Sequence, residues 1–343
     1  MTGFTPIFRR GLLGLATGLW LAASTMPLAA QTDPLPSWND GATKQAIIDL
    51  VAAITTEGGA DYVEPGDRIA TFDQDGTTWV EQPLYGQGLF ALARLAEMAP
   101  AHPEWKETEP FKSVLAGDHA ATAKFTEKDW MEIVAVTHAG MSNAEFARLV
   151  ADWLPKSENP ALKRGPVTSL TYQPMLEVMA YLRDNGFRTY IVSGGGQEFV
   201  RVYAEDVYGV PPEQVVGSSI KTRYEIEGGK PELFREPEVF FVNDGPGKAI
   251  GINLFIGQRP QIAFGNSDGD REMLEWTTAG DGARHGLLVL HDDAEREFAY
   301  GPANGLPDSH IGTFSQELMD EAGARGWSVI SMKNDWKTIF AQP

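Results

Sequence analysis

The sequence predicts an α/β fold, a doubly wound parallel sheet with a helical domain inserted into it. Short apolar runs stop abruptly in polar, glycine-bearing loops at Asp73, Ser193 and Asn266, as buried parallel strands do. Stretches with apolar residues three and four apart lie between those runs, which is the alternation of βαβ units. From Pro83 to about Pro166 the pattern is helical with no clear strand, so this part reads as an insertion.

Taken in order, Thr43 to Ala53 has the spacing of an amphipathic helix, with Asp40 placed as its cap. Ile69 to Phe72 is a short, partly β-branched run and the first strand. Leu89 to Ala96, Lys128 to Thr137 and Ala144 to Leu154 are the helices of the insertion, separated by breakers at His102-Pro103 and Pro155 to Pro166. Pro174 to Asn185 is a helix closed by Gly186, a glycine in the usual C-terminal place. Phe187 to Val192 is a strand and Glu198 to Tyr208 a helix; residues 218–242, with Gly228-Gly229 between two alternating halves, form a hairpin-like excursion. Gly247 to Leu254 is a helix, and Gln261 to Phe264, Gly286 to Leu290 and Trp327 to Ser331 are strands.

Composition is that of an ordinary soluble globular protein, 43% hydrophobic and 22% charged. The formal net charge of −19, with no lysine- or arginine-rich block, disfavours nucleic acid and anionic membranes as partners. An anionic small substrate must be drawn in locally, by a metal ion, a buried lysine or helix N-termini. At the amino terminus Arg9-Arg10 precedes 22 uncharged residues with an apolar heart from Leu12 to Ala23 and the small pair Ala29-Ala30. That order is a secretory signal peptide cut after Ala30. The expected product is periplasmic, free of the membrane, and carries a charge of −21 once Arg9 and Arg10 are removed. The chain has no cysteine and so no disulfide. The domains expected are the signal peptide 1–30, a leader and helix 31–66, an α/β core 67–82 plus 167–343, and the helical insertion 83–166.

Chemistry gathers at the strand ends, where open α/β sheets bind ligands. Asp73 and Asp75, two residues apart with Gly76, Thr77 and Thr78 behind them, suit a divalent cation held by hard oxygens. They equally suit a nucleophile beside a general acid. A calcium EF-hand is excluded, because Thr77, Thr78 and Leu84 stand where an acid, a glycine and a glutamate are needed. Ser193 is followed by Gly194, Gly195 and Gly196, whose N–H groups can approach a phosphate. Lys248 lies in the first turn of a helix, with Lys230 as its rival, and Asn266 to Asp270 is an acid-rich loop. The six histidines lack zinc-ligand spacing. His291-Asp292-Asp293 reads as a polar loop after a strand, Asp268 as a solvated acid, and Trp79, Glu81, Tyr85 and Tyr172 as neighbours of the site's mouth.

An Asp-x-Asp-Gly-Thr loop, a strand ending in Ser, a lysine and a late acidic loop, in this order, resemble the haloacid dehalogenase superfamily in its phosphoserine-phosphatase-like branch. The resemblance covers residues 68–274 and implies a Rossmann-like core with a helical cap. It implies that Asp73 is the nucleophile and Asp75 the general acid/base, and that Ser193 with Gly194 and Lys248 holds the phosphoryl group. Magnesium would be held by Asp73, Asp75, Asn266 and Asp270. Many relatives have an acid where this chain has Asn266, and an amide oxygen ligates with one less negative charge. Phosphoserine phosphatases carry a cap-side glutamate that Glu81 approaches one residue early. The activity implied is hydrolysis of a small phosphorylated metabolite. A phosphotransferase or mutase sharing the intermediate, and a non-catalytic periplasmic anion-binding protein, are the alternatives.

Overall fold

A computed structural model describes residues 33–341 apart from Ala123. The expected signal peptide lies outside the described residues. Seven strands form one sheet: β1 (Ile69–Phe72), β2 (Arg188–Gly196), β3 (Val215–Glu227), β4 (Lys230–Phe241), β5 (Ile262–Gly265), β6 (His285–Leu290) and β7 (Ser328–Ser331). Their order is β4-β3-β2-β1-β5-β6-β7. All neighbouring pairs are parallel except β3 with β4. The first strand in sequence is therefore the central one.

Alternation along each strand sorts side chains onto two faces. Ala70, Phe72, Ile191, Ile262, Phe264, Leu287 and Val289 join one buried cluster, whereas Ile69, Tyr190, Val192, Ala263, Leu288 and Leu290 join another. Phe72 and Phe264 stack at 4.6 Å across the β1–β5 pair. Helices cover both faces, so the sheet is doubly wound.

The insertion contains the helices Gly86–Met98, Glu127–His138 and Asn143–Trp153 among shorter turns, and no strand is assigned within its described residues. Ala91, Leu95, Trp105, Phe111 and Ile133 give it a small core of its own. Phe90, Phe146 and Val150 bind it into the main core instead.

Local departures from the sequence reading have physical causes. The helix Ala42–Thr55 has no side-chain cap; Asp40 accepts a hydrogen bond from Lys44 Nζ at 3.0 Å instead. Strand β2 runs on through the three glycines, with a register shift between Val192 and Gly196. The helix expected over 198–208 is two short ones, Gln197–Val200 and Ala204–Tyr208. The hairpin is part of the sheet: Val215 and Val216 pair with β2 before the strand turns outward to pair with β4.

Candidate active site

The loop bearing Asp73 and Asp75 is a tight turn hung between two strands. The Asp73 N–H donates to the Phe264 carbonyl at 2.9 Å, and the Gly76 N–H to the Trp79 carbonyl at 2.9 Å. Gly76 has φ +77, and a Cβ there would lie 2.1 Å from Asn266 Nδ2. Only glycine satisfies both the turn and that approach.

Lys248 reaches this loop from the first turn of the helix Pro246–Gly251. Its ammonium donates to Asp73 Oδ1, and to Asp270 Oδ1 at 2.6 Å. Burial works against the ammonium's charge, but Asp270 and then Asp73 outweigh it, and its pKa is raised. Its rival Lys230 is exposed at the hairpin turn. Asp73 is raised well above the usual carboxylate range, by burial first and by Asp270 second, with Lys248 pulling it down. Burial pushes Asp75 up to about 6, opposed by a hydrogen bond from Trp79. That bond runs from the indole Nε1 to Asp75 Oδ1 at 2.6 Å.

Ser193 is buried at the sheet edge, and its Oγ accepts from the Gly195 N–H at 3.0 Å. Ser193 lines the cleft. The glycine amides are not all available for an anion, as the sequence suggested. Gly195 serves Ser193, and Gly196 donates to Gln87 Oε1 at 2.7 Å. Gln87 comes from the insertion and also meets His138 Nε2 at 3.2 Å. His138 is neutral, pushed down to about 3 by burial and then by Arg235.

The late loop has a different division of labour from the one expected. Asp270 Oδ2 accepts from the backbone N–H of Asn266 at 2.9 Å and of Ser267 at 3.0 Å. With Oδ1 on Lys248, both its oxygens are engaged, and it braces the loop. Asn266 Oδ1 accepts from Thr77 Oγ1 at 3.0 Å, while Asn266 Nδ2 donates to Glu81 Oε1 at 2.9 Å. Glu81 also accepts from Tyr300 OH at 2.7 Å. Burial lifts Glu81 to about 7, against the charge of His291. So Glu81 stands behind Asn266 and fixes the orientation of its amide. Asp268 is not a solvated acid: it accepts from Ser315 Oγ at 2.7 Å, at the cap of the helix Gln316–Arg325.

His291 is the residue the sequence hid best. It is buried, and its Nε2 meets the Gly76 carbonyl at 2.8 Å while its Nδ1 meets Glu297 Oε2 at 3.1 Å. Glu297 in turn accepts from Tyr172 OH at 3.1 Å. Tyr172 is thus part of a buried chain that grips the loop bearing Asp73, not a mouth residue. Only the His-Asp-Asp spelling after a strand offered a signal.

Asp73, Asp75, Ser193, Gly194 and Lys248 line one cleft of about 820 Å³, roofed by the helix Glu127–His138 and walled by β4. Among the described residues no three His, Asp or Glu side chains form a ready metal cage; Lys248 lies between two of the acids. The donor set nevertheless fits magnesium. Asp73, Asp75 and Asn266 bring hard oxygens to the carboxyl ends of the adjacent strands β1 and β5, and burial raises the pKa of both aspartates, which a cation would offset.

A seven-stranded, mostly parallel sheet with helices on both faces and acids at its carboxyl edge is the Rossmann-like core of a hydrolase class. The family model for haloacid dehalogenase-like hydrolases matches residues 70–275, more than half of the chain, and the protein belongs to that family. No curated protein matches it significantly. A protein of unknown function from Bordetella pertussis Tohama I is similar in structure, at 15% identity and TM-score 0.45, over 77% of this chain and 98% of that one. A functionally unknown protein from Anaerococcus prevotii DSM 20548 has 18% identity and TM-score 0.46, over 73% and 86%. A phosphoserine phosphohydrolase-like protein from Francisella tularensis subsp. tularensis SCHU S4 has 16% and 0.38, over 65% and 88%. These likenesses are weak.

Proposed function

We propose that this hydrolase is a magnesium-dependent phosphatase of small phosphate monoesters, working through an aspartyl-phosphate on Asp73. The observation that carries the reading is Asp75, a second carboxyl beside Asp73, half-buried in the cleft and pushed up to about 6. A group of that kind can hold a proton for a leaving alkoxide near neutral pH. Halide chemistry needs no such proton.

Asp73 attacks phosphorus, the bond to the leaving oxygen breaks, and the Asp75 proton passes to that oxygen. Asp75, now a carboxylate, takes a proton from the water that cleaves the aspartyl-phosphate, and Asp73 is restored. Lys248 opposes the charge on the phosphoryl oxygens, and the Ser193 O–H and Gly194 N–H donate to them. Asp73 and Asn266 would hold magnesium, which would neutralise charge on the phosphate and favour the ionised form of Asp73, while the Asp75 carboxyl keeps its proton for the leaving oxygen. Asp270 acts through Lys248 and the Asn266 backbone.

Residues 83–166 are proposed to be a closing cap, which excludes water and favours substrates small enough to be enclosed. The amino terminus supports export to the periplasm with removal of residues 1–30. Mass analysis of the protein from fractionated cells tests this, and an intact Met1 chain in the membrane would refute it. The activity is tested by phosphate release from small esters, a phosphopeptide and a 5′-phosphorylated oligonucleotide, with and without magnesium. Release from the small esters only, and only with magnesium, is expected. Absence of release from every ester sinks the phosphatase reading; preference for either macromolecule sinks the cap.

A further inference from the structure

The outer part of the cleft differs in character from its floor. On the cap side it presents Tyr85, Trp130 and Met131; on the hairpin side, Ile220, Val239 and Val242. Met131 is 44% exposed, Val239 47% and Val242 51%. Apolar side chains left open around a concave site mark a surface meant to be covered by a ligand.

The aromatic part is built rather than accidental. Trp130 lies 6.4 Å from Tyr85, ring centre to ring centre, at a tilt of 52°. Phe125 meets Trp130 edge-on at 5.8 Å, which buttresses an indole that lines the cleft. Tilted and edge-on rings at such spacings accept a further ring.

The cations at the cleft are already engaged or dispersed. Lys248 is bound to Asp73 and Asp270 on the floor. Arg235 donates to the His138 carbonyl at 2.6 Å and to Asn143 Oδ1 at 3.0 Å, and lies 4.1 Å over the Phe146 ring. His138 is neutral, and Lys128 stands exposed on the helix Glu127–His138. Glu132, Glu198 and Glu238 share the same walls. A second phosphate or a carboxylate on the substrate's organic part meets these acids and no cluster of cations among the described residues.

We infer that the site takes monophosphate esters of alcohols that carry an apolar ring, the ring lying between Trp130 and Tyr85 on one side and Val239 and Val242 on the other. The inference rests on the phosphatase reading and narrows its substrate class. The phosphoryl group sits on the floor, the ester oxygen beside Asp75, and the ring under the cap. Cap and hairpin thereby select the alcohol together.

The test compares kcat/KM for 2-phenylethyl phosphate and glycerol 3-phosphate with magnesium present. Both leave as primary alkoxides, so both ask the same of Asp75, and a difference reports the ring. A preference of roughly 10- to 100-fold for the phenylethyl ester is expected. Trp130→Ala should reduce that preference to under about threefold. The double variant Met131→Ser with Val239→Ser should reduce it in the same sense, and serves should the first disturb its helix. Equal rates for the two esters, a preference for the glycerol ester, or a preference untouched by both variants overturns the inference and leaves the phosphatase reading standing. No turnover of either ester, with no phosphate trapped on Asp73, overturns both.

Discussion

The floor of the cleft and its rim are built on opposite plans. On the floor, polar groups are locked to one another: Lys248 between Asp73 and Asp270, Asn266 between Thr77 and Glu81, Asp75 on Trp79. At the rim, Met131, Val239 and Val242 stand open. Preorganisation is useful where charge develops, because groups already in place need not reorient during the reaction. Adaptable apolar contact is useful where an alcohol must be accepted and released. On the proposed reading, one part fixes the reaction and the other fixes what undergoes it.

The contrast breaks most severely at its centre. Asp73→Asn removes the proposed nucleophile, and turnover should fall on the order of a thousandfold or more while circular dichroism stays that of the parent. A variant keeping more than about a tenth of kcat contradicts the assignment.

Asp75→Asn should divide substrates by leaving group. Alkyl phosphates lose roughly 100- to 10,000-fold, whereas aryl phosphates, which need little protonation, lose less in the first step. Burst kinetics with an aryl ester should then show phospho-enzyme accumulating, since the same residue activates water. Equal losses with no burst count against the role.

Asn266 and Glu81 sharpen the comparison by exchange. Asn266→Asp sets a second carboxylate against Glu81 and should destabilise the protein; adding Glu81→Gln restores the amide–acid pairing with its partners reversed. A double-mutant cycle on denaturant unfolding should show coupling of about 0.5–3 kcal/mol. Additive effects would mean that the contact has no energetic content.

The smallest effect is on stability against pH. Asp75 rises from 3.8 to about 6 and Glu81 from 4.5 to about 7, both through burial. The folded chain therefore holds protons that the unfolded chain has lost. The contribution is complete below the unfolded values and declines as pH rises through about 6 and about 7. In EDTA the Tm should fall by about 5 °C between pH 5 and pH 8, and Glu81→Gln should flatten the upper part of the curve. A Tm that rises over that interval would contradict both shifts.

Much of this was legible in the sequence, because strand ends and turns are local. The run Ile69 to Phe72, the hairpin glycines and the 3.6-residue spacing of the insertion each declare themselves within a few residues. The motifs fell at one sheet edge because parallel order puts all carboxyl ends on one side. What stayed hidden was contact at long range. Gln87 with Gly196, Asn266 with Glu81 and His291 with Gly76 join residues 109, 185 and 215 positions apart, and no local pattern announces such pairings. The engagement of Asp270 and Asp268 was hidden for the same reason. Asp270 carries Lys248, and Asp268 accepts from Ser315.

The aromatic seam between Trp38 and residues 336–340 bears on how this protein is made. Trp336 packs edge-on against Trp38 at 6.0 Å and lies 5.3 Å from Tyr172, and Phe340 lies 6.2 Å from Tyr172. Tyr172 is the outer link of the chain through Glu297 and His291 to Gly76. A nascent chain that has released only β1 to β6 from the ribosome leaves Trp38 and Tyr172 uncovered. The loop bearing Asp73 is synthesised early and braced late. A chain stopped before Trp336 lacks the rings that cover Trp38 and Tyr172, and exposed aromatic surface of that kind is what makes incomplete chains prone to association.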